Sequence, residues 1–204
     1  MREIGRLVLV LGTIGVVSAS TLAYVRASLA PRIEQQSDLF VRGPALERLF
    51  GRPAAQLLAN KIVLDTGEAA YPVFYERESG EVVGLAVEAA GHGGYGGDIV
   101  MMIAIDLRTG KMTGTEIIMH SETPGIGSQV EKPSFRKQWL GLAAAEPVDL
   151  RSAGGRVDAI SGATFSSRAM IEGTNQVVQL IRDHQSDILA RIADGGATAE
   201  GGKP

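Results

Sequence analysis

The hydropathy pattern opens with an uninterrupted apolar run. Residues 7–25 are nineteen residues without a charge, with Arg6 before them and Arg26 after them. As an α-helix this run would be about 28 Å long, close to the roughly 30 Å hydrocarbon core of a bilayer. The pattern therefore predicts a transmembrane helix over residues 7–25, preceded by a short head at residues 1–6.

A cleaved signal peptide is the alternative interpretation of this run. Its apolar region would be long for that class, and the best small-residue site, Ser28 to Ala30, is followed by Pro31, which disfavours cleavage. We therefore expect a retained anchor. Basic residues on the two sides nearly balance, so the positive-inside rule does not settle the orientation. The short head favours a cytoplasmic N-terminus, which predicts a single-pass protein of the cell inner membrane with its soluble part on the periplasmic side.

Apolar residues continue at helical spacing from Ala30 to Gly51, with an interruption at Gly43 and Pro44. This pattern predicts a broken helical stalk, and a further short helix is predicted over Ala54 to Leu64. From Tyr71 the period changes to that of strands. The predicted strands, rich in β-branched residues and bounded by turn residues, are 73–75, 82–89, 99–106 and 113–119.

Two further helices are predicted after the strands. Residues 134–142 form a short one around Trp139, and residues 166–193 carry an apolar stripe at spacings of three and four. The expected fold class is α+β, with an N-terminal transmembrane helix followed by a twisted antiparallel sheet flanked by helices. The predicted segments are a cytoplasmic head (1–6), the transmembrane helix (7–25), a helical stalk (26–65), a folded domain (66–193) and a flexible tail (194–204).

Composition narrows the possible chemistry. The chain has no cysteine, which excludes disulfides, thiolate zinc sites, cysteine-ligated iron–sulfur clusters and haem attachment through C-x-x-C-H. Its 20 basic and 23 acidic residues give a formal net charge of -3, and no basic run indicates nucleic-acid binding. His92, His120 and His184 are too far apart in sequence for a metal-ligand motif. Electron transfer would therefore need an organic cofactor or unaided histidine ligation.

A glycine-rich segment, residues 91–96, matches the pattern G-x-G-x-x-G. The dinucleotide fingerprint requires a strand before this pattern and a helix after it. Here the segment lies between two predicted strands, so we reject a Rossmann-type nicotinamide site. The glycines instead predict a connection between strands whose backbone can approach a ligand closely.

A second segment, residues 121–127, combines turn residues with polar and apolar groups that can contact a ligand. One proline and two glycines are sufficient for an ordinary turn. The segment also holds Glu122, a hydroxyl, backbone amides and the apolar Ile126. This mixture suits a planar heteroaromatic ring, because amides meet ring carbonyls while an aliphatic side chain covers the face. The residues themselves leave both interpretations open.

The most informative segment runs from Asp158 to Ser167, at the start of the last predicted helix. A helix entry with a hydroxyl cap explains one Ser or Thr. It does not explain four hydroxyls around Gly162 and Ala163. Unpaired amides and the positive dipole end of a helix favour a phosphate, and Thr164 holds a hydroxyl where a phosphoester can form. A phosphate site and a plain cap are the two alternatives.

Together these segments resemble the FMN-binding domain family. The resemblance rests on Ser161-Gly162-Ala163-Thr164 preceded by Asp158, on residues 122–127 and on residues 94–97, and it covers nearly the whole chain. Close members of the family are the G subunit of the Rnf ion-translocating electron-transport complex and the C subunit of sodium-pumping NADH:quinone reductase. The single anchor and compact size are more similar to the Rnf member.

The resemblance implies a cofactor and its site. In the family, a flavin transferase that consumes FAD esterifies the last Thr of the S-G-A-T element to the FMN phosphate, and that residue is Thr164 here. Residues 122–127 match the segment that lies against the isoalloxazine, and Asp158 matches the acidic position that opens the transferase motif. No catalytic residue or metal ligand is expected. The predicted FMN-binding residues are Tyr95, Gly96, Glu122, Thr123, Gly125, Ile126, Gly127, Asp158, Ser161, Gly162, Ala163, Thr164 and Ser166.

The resemblance also implies a function. The chain would be a membrane-anchored flavoprotein subunit that relays electrons in an Rnf-type complex, between ferredoxin and NAD, coupled to ion translocation. Its partners would be the other membrane subunits and, during maturation, the flavin transferase. Two alternatives are the C-type subunit of the sodium-pumping quinone reductase and a non-redox anchored module whose helix terminus only holds an anion.

Overall fold

The computed structural model describes residues 2–67 and 69–194. Most of the predicted tail, residues 195–204, lies outside the described residues. The chain divides into two compact units, residues 1–41 and residues 42–204, and each is described by itself.

The first unit is helical. It consists of α1, Arg2–Ser37, which leads into a π-helical turn, Asp38–Arg42. The apolar side chains of α1 are exposed, Leu11 among them at 75%. In the described part of the chain, one helical stretch, Glu3–Phe50, is long and apolar enough to cross a membrane, with a mean hydropathy of 2.0 over 18 residues. The structure thus contains the long apolar N-terminal helix that the sequence predicts.

The second unit is built on a five-stranded antiparallel sheet, in which strands adjacent in sequence are also adjacent in space. The alternating apolar pattern from Tyr71 onward is the pattern that such strands require. The strands are β1 (Lys61–Asp65), β2 (Ala70–Glu78), β3 (Glu81–Gly94), β4 (Gly97–Asp106) and β5 (Lys111–Met119). The α+β fold class is therefore confirmed.

Helices flank this sheet. They are α2 (Gly43–Phe50), α3 (Ala54–Ala59), α4 (Pro133–Arg136) and α5 (Thr164–Ala193), with short 3-10 helices at Gly127–Glu131, Lys137–Trp139 and Arg151–Ala153. The predicted helix over 134–142 is thus one turn of α-helix followed by a 3-10 turn. The long final helix begins at Thr164, two residues before its predicted start.

Both faces of the central strands are buried, because alternate side chains point to opposite sides of a sheet. On one face, Leu85 and Ile103 belong to the main core, which the sheet forms with α5. On the other face, Ala86 and Met102 pack against Leu46 of α2 in a second cluster. The sheet is therefore the middle layer between α5 and the α2–α3 pair.

Two buried carboxylates on the second face are paired with arginines. Glu88 accepts hydrogen bonds of 2.5 and 2.8 Å from Arg42, at the start of the second unit. Glu116 accepts a 2.9 Å hydrogen bond from Arg48 of α2 and also pairs with Arg136. Because an unpaired buried charge is costly, these pairs constrain how α2 lies on the sheet.

The predicted helix over Ala54 to Leu64 is wrong in its second half. The helix α3 ends at Ala59, and residues 61–65 form the edge strand β1. Ile62 and Leu64 are buried while Val63 is exposed, the period of two that a strand requires. Pairing with β2 supplies the backbone hydrogen bonds, so tertiary contacts override the local helical pattern.

The interruption expected at Gly43 and Pro44 takes the form of a change in helix type. The π-helical turn Asp38–Arg42 leads directly into α2, and Pro44 occupies the first turn of that helix. The backbone therefore stays helical through this position.

The helix α5 approaches β3 closely. A Cβ atom on Gly91 would lie 1.9 Å from the carbonyl oxygen of Ala169, and one on Gly173 would lie 2.9 Å from the backbone nitrogen of Gly91. Only glycine permits two backbones to pack at this distance. The contact sets the position of α5 along the sheet.

We expect Gly91→Ala to lower the free energy of unfolding by about 3 kcal/mol or more, because the methyl group would overlap a backbone carbonyl. The matched control is Gly114→Ala, also in a strand, where the added atom meets only the end of the Leu49 side chain at 3.0 Å. The control should stay within about 1 kcal/mol of the parent. Urea unfolding of the full chain in detergent, followed by emission of the buried Trp139, measures both; equal losses would contradict the close packing.

Candidate functional site

The start of α5 has unpaired backbone donors. Ala163 occupies the N-cap position, and no side chain caps the helix. Within the described part of the chain, the N–H groups of Thr164, Phe165 and Ser166 have no hydrogen-bond acceptor. Thr164 itself is exposed. These N–H groups and the helix dipole together suit a phosphate group.

The turn before α5 is held by Ser167. Its hydroxyl oxygen accepts the N–H of Ile160 at 2.9 Å, and its O–H donates to the carbonyl of Ala163 at 3.0 Å. The N–H of Ala163 closes the turn on the carbonyl of Ile160 at 3.0 Å, with Gly162 at a φ of 77°. The turn therefore does not use Thr164. A plain hydroxyl cap, one of the two alternatives from the sequence, does not describe this helix end.

Three segments meet at the carboxylate of Glu122, which is 5% exposed. Its Oε1 accepts a hydrogen bond from the N–H of Gly96 at 3.1 Å, and its Oε2 accepts one from the hydroxyl of Ser166 at 2.8 Å. A Cβ atom on Gly127 would lie 2.0 Å from Oε2. These four residues, named here the Glu122 junction, join the β3–β4 turn, residues 121–127 and the start of α5.

The junction assigns Glu122 a structural role. Both carboxylate oxygens have protein donors, and a Cβ atom on Gly94 would lie 2.5 Å from Oε1. The carboxylate is therefore buried among protein groups. It positions the surrounding segments, and the parts of residues 121–127 that face outward are the turn at Thr123 to Gly125 and the side chain of Ile126.

Three large apolar side chains are exposed beside the junction. They are Tyr95 at 77%, Ile126 at 50% and Phe165 at 60%. Each is the immediate neighbour in sequence of a junction residue, respectively Gly96, Gly127 and Ser166. Because the junction residues contact Glu122, the backbones of these three neighbours lie at the same end of the sheet, where large exposed apolar side chains are candidates for ligand contact. We name this set the apolar rim.

A groove of about 460 Å³ runs along α5. Its lining combines the charged side chains of Arg168 and Glu172 with the apolar side chains of Leu150 and Ile171. Arg168 follows Thr164 by one helical turn, so the two side chains share a helix face. The groove therefore offers both polar and apolar surface to a ligand.

Asp158 lies outside the junction. Its carboxylate forms two hydrogen bonds with Arg151, at 2.6 and 3.1 Å, and both side chains are exposed. The hydrogen bond from Arg151 holds the pKa of Asp158 below its ordinary value. The proposed role of Asp158 in the transferase motif stays a prediction.

The C-terminal end of β3 also forms a hydrogen bond with α5. The N–H of His92 donates to Glu172 at 2.6 Å, and Nδ1 of His92 lies 3.1 Å from Asp98. The hydrogen bond with Asp98 raises the pKa of His92 above its ordinary value, although partial burial opposes the shift. Across residues 2–67 and 69–194, no His, Cys, Asp or Glu side chains form a group of three or more that could hold a metal ion.

The structure thus brings most of the predicted site residues to one end of the sheet. Phe165, Gly94 and His120 were not among the predicted binding residues. An apolar residue at an exposed helix start was the available signal for Phe165, whereas the fit of Gly94 against Glu122 depends on a contact distant in sequence. The predicted residues in the junction are Gly96, Glu122, Gly127 and Ser166; those in the rim are Tyr95 and Ile126; those at the start of α5 are Ser161, Gly162, Ala163 and Thr164; and Thr123 and Gly125 lie in the exposed turn.

Removing the Glu122 carboxylate should destabilise the protein. Glu122→Ala leaves the N–H of Gly96 and the hydroxyl of Ser166 without a buried partner, at a cost of about 2–4 kcal/mol. Glu122→Gln keeps one acceptor oxygen and can donate to the rotatable hydroxyl, so its loss should be about 1 kcal/mol. Urea unfolding of the full chain measures both, and an Ala variant as stable as the parent would contradict the junction.

Comparison with known proteins defines the class first. Residues 94–179 match the family model described as FMN-binding domain. The fold also resembles the C subunit of the Na(+)-translocating NADH-quinone reductase from Parabacteroides distasonis, with a TM-score of 0.57 over 76% of this chain and 96% of that one, at 21% identity. The folded unit is therefore a domain of the FMN-binding class.

Relatives then identify the family. The G subunit of an ion-translocating oxidoreductase complex from Shewanella amazonensis is 30% identical over 152 residues, which are 71% of this chain and 70% of that protein. The chain belongs to this family of G subunits. The G subunit from Methanosarcina acetivorans is 39% identical over 103 residues, 50% of this chain and 54% of its own length. The G subunit of the Na(+)-translocating ferredoxin:NAD(+) oxidoreductase complex of Acetobacterium woodii is 27% identical over 87% of this chain and 91% of its own.

The extent of these matches differs between relatives. The chain spans about half of the Methanosarcina protein, and 66% of the G subunit from Shewanella oneidensis. The activity and partners of whole relatives are therefore proposals for this chain.

Proposed function

We propose that this chain carries FMN as a phosphoester on the hydroxyl of Thr164 and relays electrons within a membrane complex. The observation that carries the proposal is the exposed Thr164 at a helix start whose first three N–H groups have no acceptor among the described residues. These donors fit a phosphate group bonded to the Thr164 oxygen. The match to an FMN-binding domain supports the choice of phosphate ester.

The phosphate group of FMN needs space as well as hydrogen-bond donors. Ser161 and Gly162 are exposed beside Thr164, and Ala163 is a small buried residue. Arg168, one turn further along α5, places a positive charge on the same helix face. A phosphate diester at Thr164 would therefore meet amides and a cation, with no acidic side chain in the first turn of the helix.

The isoalloxazine ring of FMN needs apolar cover. The apolar rim offers such cover through the exposed side chains of Tyr95, Ile126 and Phe165, and Phe165 directly follows Thr164 in the sequence. In the exposed turn at residues 123–125, Pro124 has no N–H and the N–H of Gly125 donates to Ser128 at 2.9 Å, so the N–H of Thr123 is the donor of this turn that can meet a ring carbonyl. We therefore place the isoalloxazine against the rim and assign the junction the role of holding the rim residues in register.

The cofactor, when bound, supplies the capacity to accept and donate electrons one at a time. The protein supplies the tether, the apolar cover and the hydrogen bonds that tune the potential. A covalent tether suits a domain outside the cytoplasm, because a dissociable flavin would be lost by dilution. A dedicated flavin transferase is the proposed partner in maturation.

The proposed setting is an Rnf-type complex. The relative from Acetobacterium woodii is named as part of a Na(+)-translocating ferredoxin:NAD(+) oxidoreductase, which supports electron transfer between ferredoxin and NAD coupled to ion movement. The long apolar N-terminal helix supports a single-pass anchor beside other membrane subunits. We place the folded unit on the periplasmic side, since the short N-terminal head favours a cytoplasmic start.

Covalent flavin attachment is tested at Thr164. In cells that contain the transferase, the parent chain should gain about 438 Da, the mass of FMN less water, and should fluoresce in a denaturing gel. Thr164→Ala should lose both signals while unfolding at an unchanged urea concentration, because its side chain makes no hydrogen bond within the described residues. Thr164→Ser is the matched control, since it keeps a hydroxyl. Covalent FMN retained in the Ala variant would refute the site.

Orientation is tested with single cysteines, since the chain has none of its own. Ser152→Cys lies in an exposed turn of the folded unit, and Glu3→Cys lies in the head. A membrane-impermeant maleimide applied to cells with a permeabilised outer membrane should label the first variant. The second should react only after the inner membrane is disrupted. The reverse pattern would place the folded unit in the cytoplasm.

A further inference from the structure

His120 lies at the base of the loop that carries Glu122 and Ile126. It directly follows β5, and 12% of its side chain is exposed. Its Nδ1 accepts a hydrogen bond from the backbone N–H of Glu122 at 3.0 Å. Its buried Nε2 lies 3.0 Å from Oε1 of Glu131, without the geometry of a hydrogen bond. One ring therefore contacts both ends of the loop formed by residues 121–131.

The contact with Glu122 determines which nitrogen of the His120 ring carries the hydrogen. A neutral imidazole has one donor and one acceptor nitrogen. Because Nδ1 accepts the N–H of Glu122, the ring hydrogen belongs on Nε2, which faces the Glu131 carboxylate. Nδ1 thus contacts the loop at Glu122, and Nε2 faces the other end of the loop at Glu131.

The same contact acts on the junction. His120 accepts a hydrogen bond from the backbone N–H of Glu122. The carboxylate of Glu122 in turn accepts hydrogen bonds from the N–H of Gly96 and the hydroxyl of Ser166. The direction of the Glu122 backbone therefore influences where its carboxylate lies. Since Ile126 is carried by the same loop, its place in the apolar rim depends on the same backbone.

We propose that His120 is a positioning residue for the flavin site. It holds the loop at residues 121–131 in the conformation in which Glu122 completes the junction and Ile126 reaches the apolar rim. It acts through the loop and does not touch the cofactor. The link to FMN rests on the proposed function, whereas the contact between His120 and the loop does not.

Three substitutions separate the two ring contacts. His120→Asn places an amide oxygen near the position of Nδ1 but is too short to reach Glu131. His120→Gln places its amide near the position of Nε2 and leaves the N–H of Glu122 without an acceptor. His120→Leu removes both contacts. Each variant is the full chain in detergent, produced with the transferase.

Three measurements are made on each variant. Hydrogen exchange at the Glu122 amide reports the loop contact directly, with or without flavin. Visible circular dichroism and the reduction potential of the attached FMN report the position of the loop against the cofactor. Exchange should be at least about tenfold faster in the Gln and Leu variants, while the Asn variant should stay within about threefold of the parent. The flavin signals should shift in the same two variants and be restored by Asn.

The outcomes distinguish the two proposals. Parent-like exchange in the Gln and Leu variants, or equal effects in Asn and Gln, would overturn the role of Nδ1. Faster exchange with unchanged flavin signals would overturn the link to the cofactor site. If the Leu variant does not fold, the comparison of Asn with Gln decides. A parent protein without FMN would refute the proposed function, and the exchange measurement would still test the loop contact.

Discussion

The arrangement of the candidate site depends on one buried carboxylate. Glu122 receives a backbone N–H from the β3–β4 turn and a hydroxyl from α5, and glycine at positions 94 and 127 leaves room for it. A buried carboxylate is tolerated only when its oxygens have donors, so the three segments are held together by a requirement for hydrogen bonds. The exposed rim and the helix start that carries Thr164 are arranged around this requirement.

A second constraint places α5. Its backbone lies against β3 at Gly91 and Gly173, a distance that any larger residue would increase. The position of Thr164 relative to the β3–β4 turn therefore follows from packing along the helix, more than one turn beyond the site itself. The Glu122 junction and the glycine contact therefore act on the same helix from different elements.

The two faces of the sheet pack against different helices. One face packs on α5, whose first residue is the proposed attachment point. The other face packs on α2, which follows the long apolar helix in the sequence and pairs Arg48 with Glu116. The proposed attachment point and the helix α2 therefore belong to different layers of the folded unit.

Much of this protein could be predicted from its sequence, because the signals are local. The apolar run, the strand periodicity from Tyr71 and the long stripe of the final helix each depend on neighbours within a few residues, and the structure contains all three. The segment around Thr164 was recognisable for the same reason: its hydroxyls, glycine and helix start are contiguous. The edge strand at residues 61–65 was not predicted, since its hydrogen bonds come from β2 and its own residues also fit a helical pattern.

Tertiary structure alone decided what each site residue does. The predicted contact of Glu122 with FMN stays a prediction, and its oxygens accept hydrogen bonds from Gly96 and Ser166, which lie 26 and 44 residues away along the chain. Ser167, and not Thr164, holds the turn before the helix, so the proposed attachment hydroxyl is left available. Local patterns specify which residues occur at a helix start or a turn. Only the folded chain determines which polar groups find partners and which remain for a ligand, because those partners come from elements that are distant in sequence.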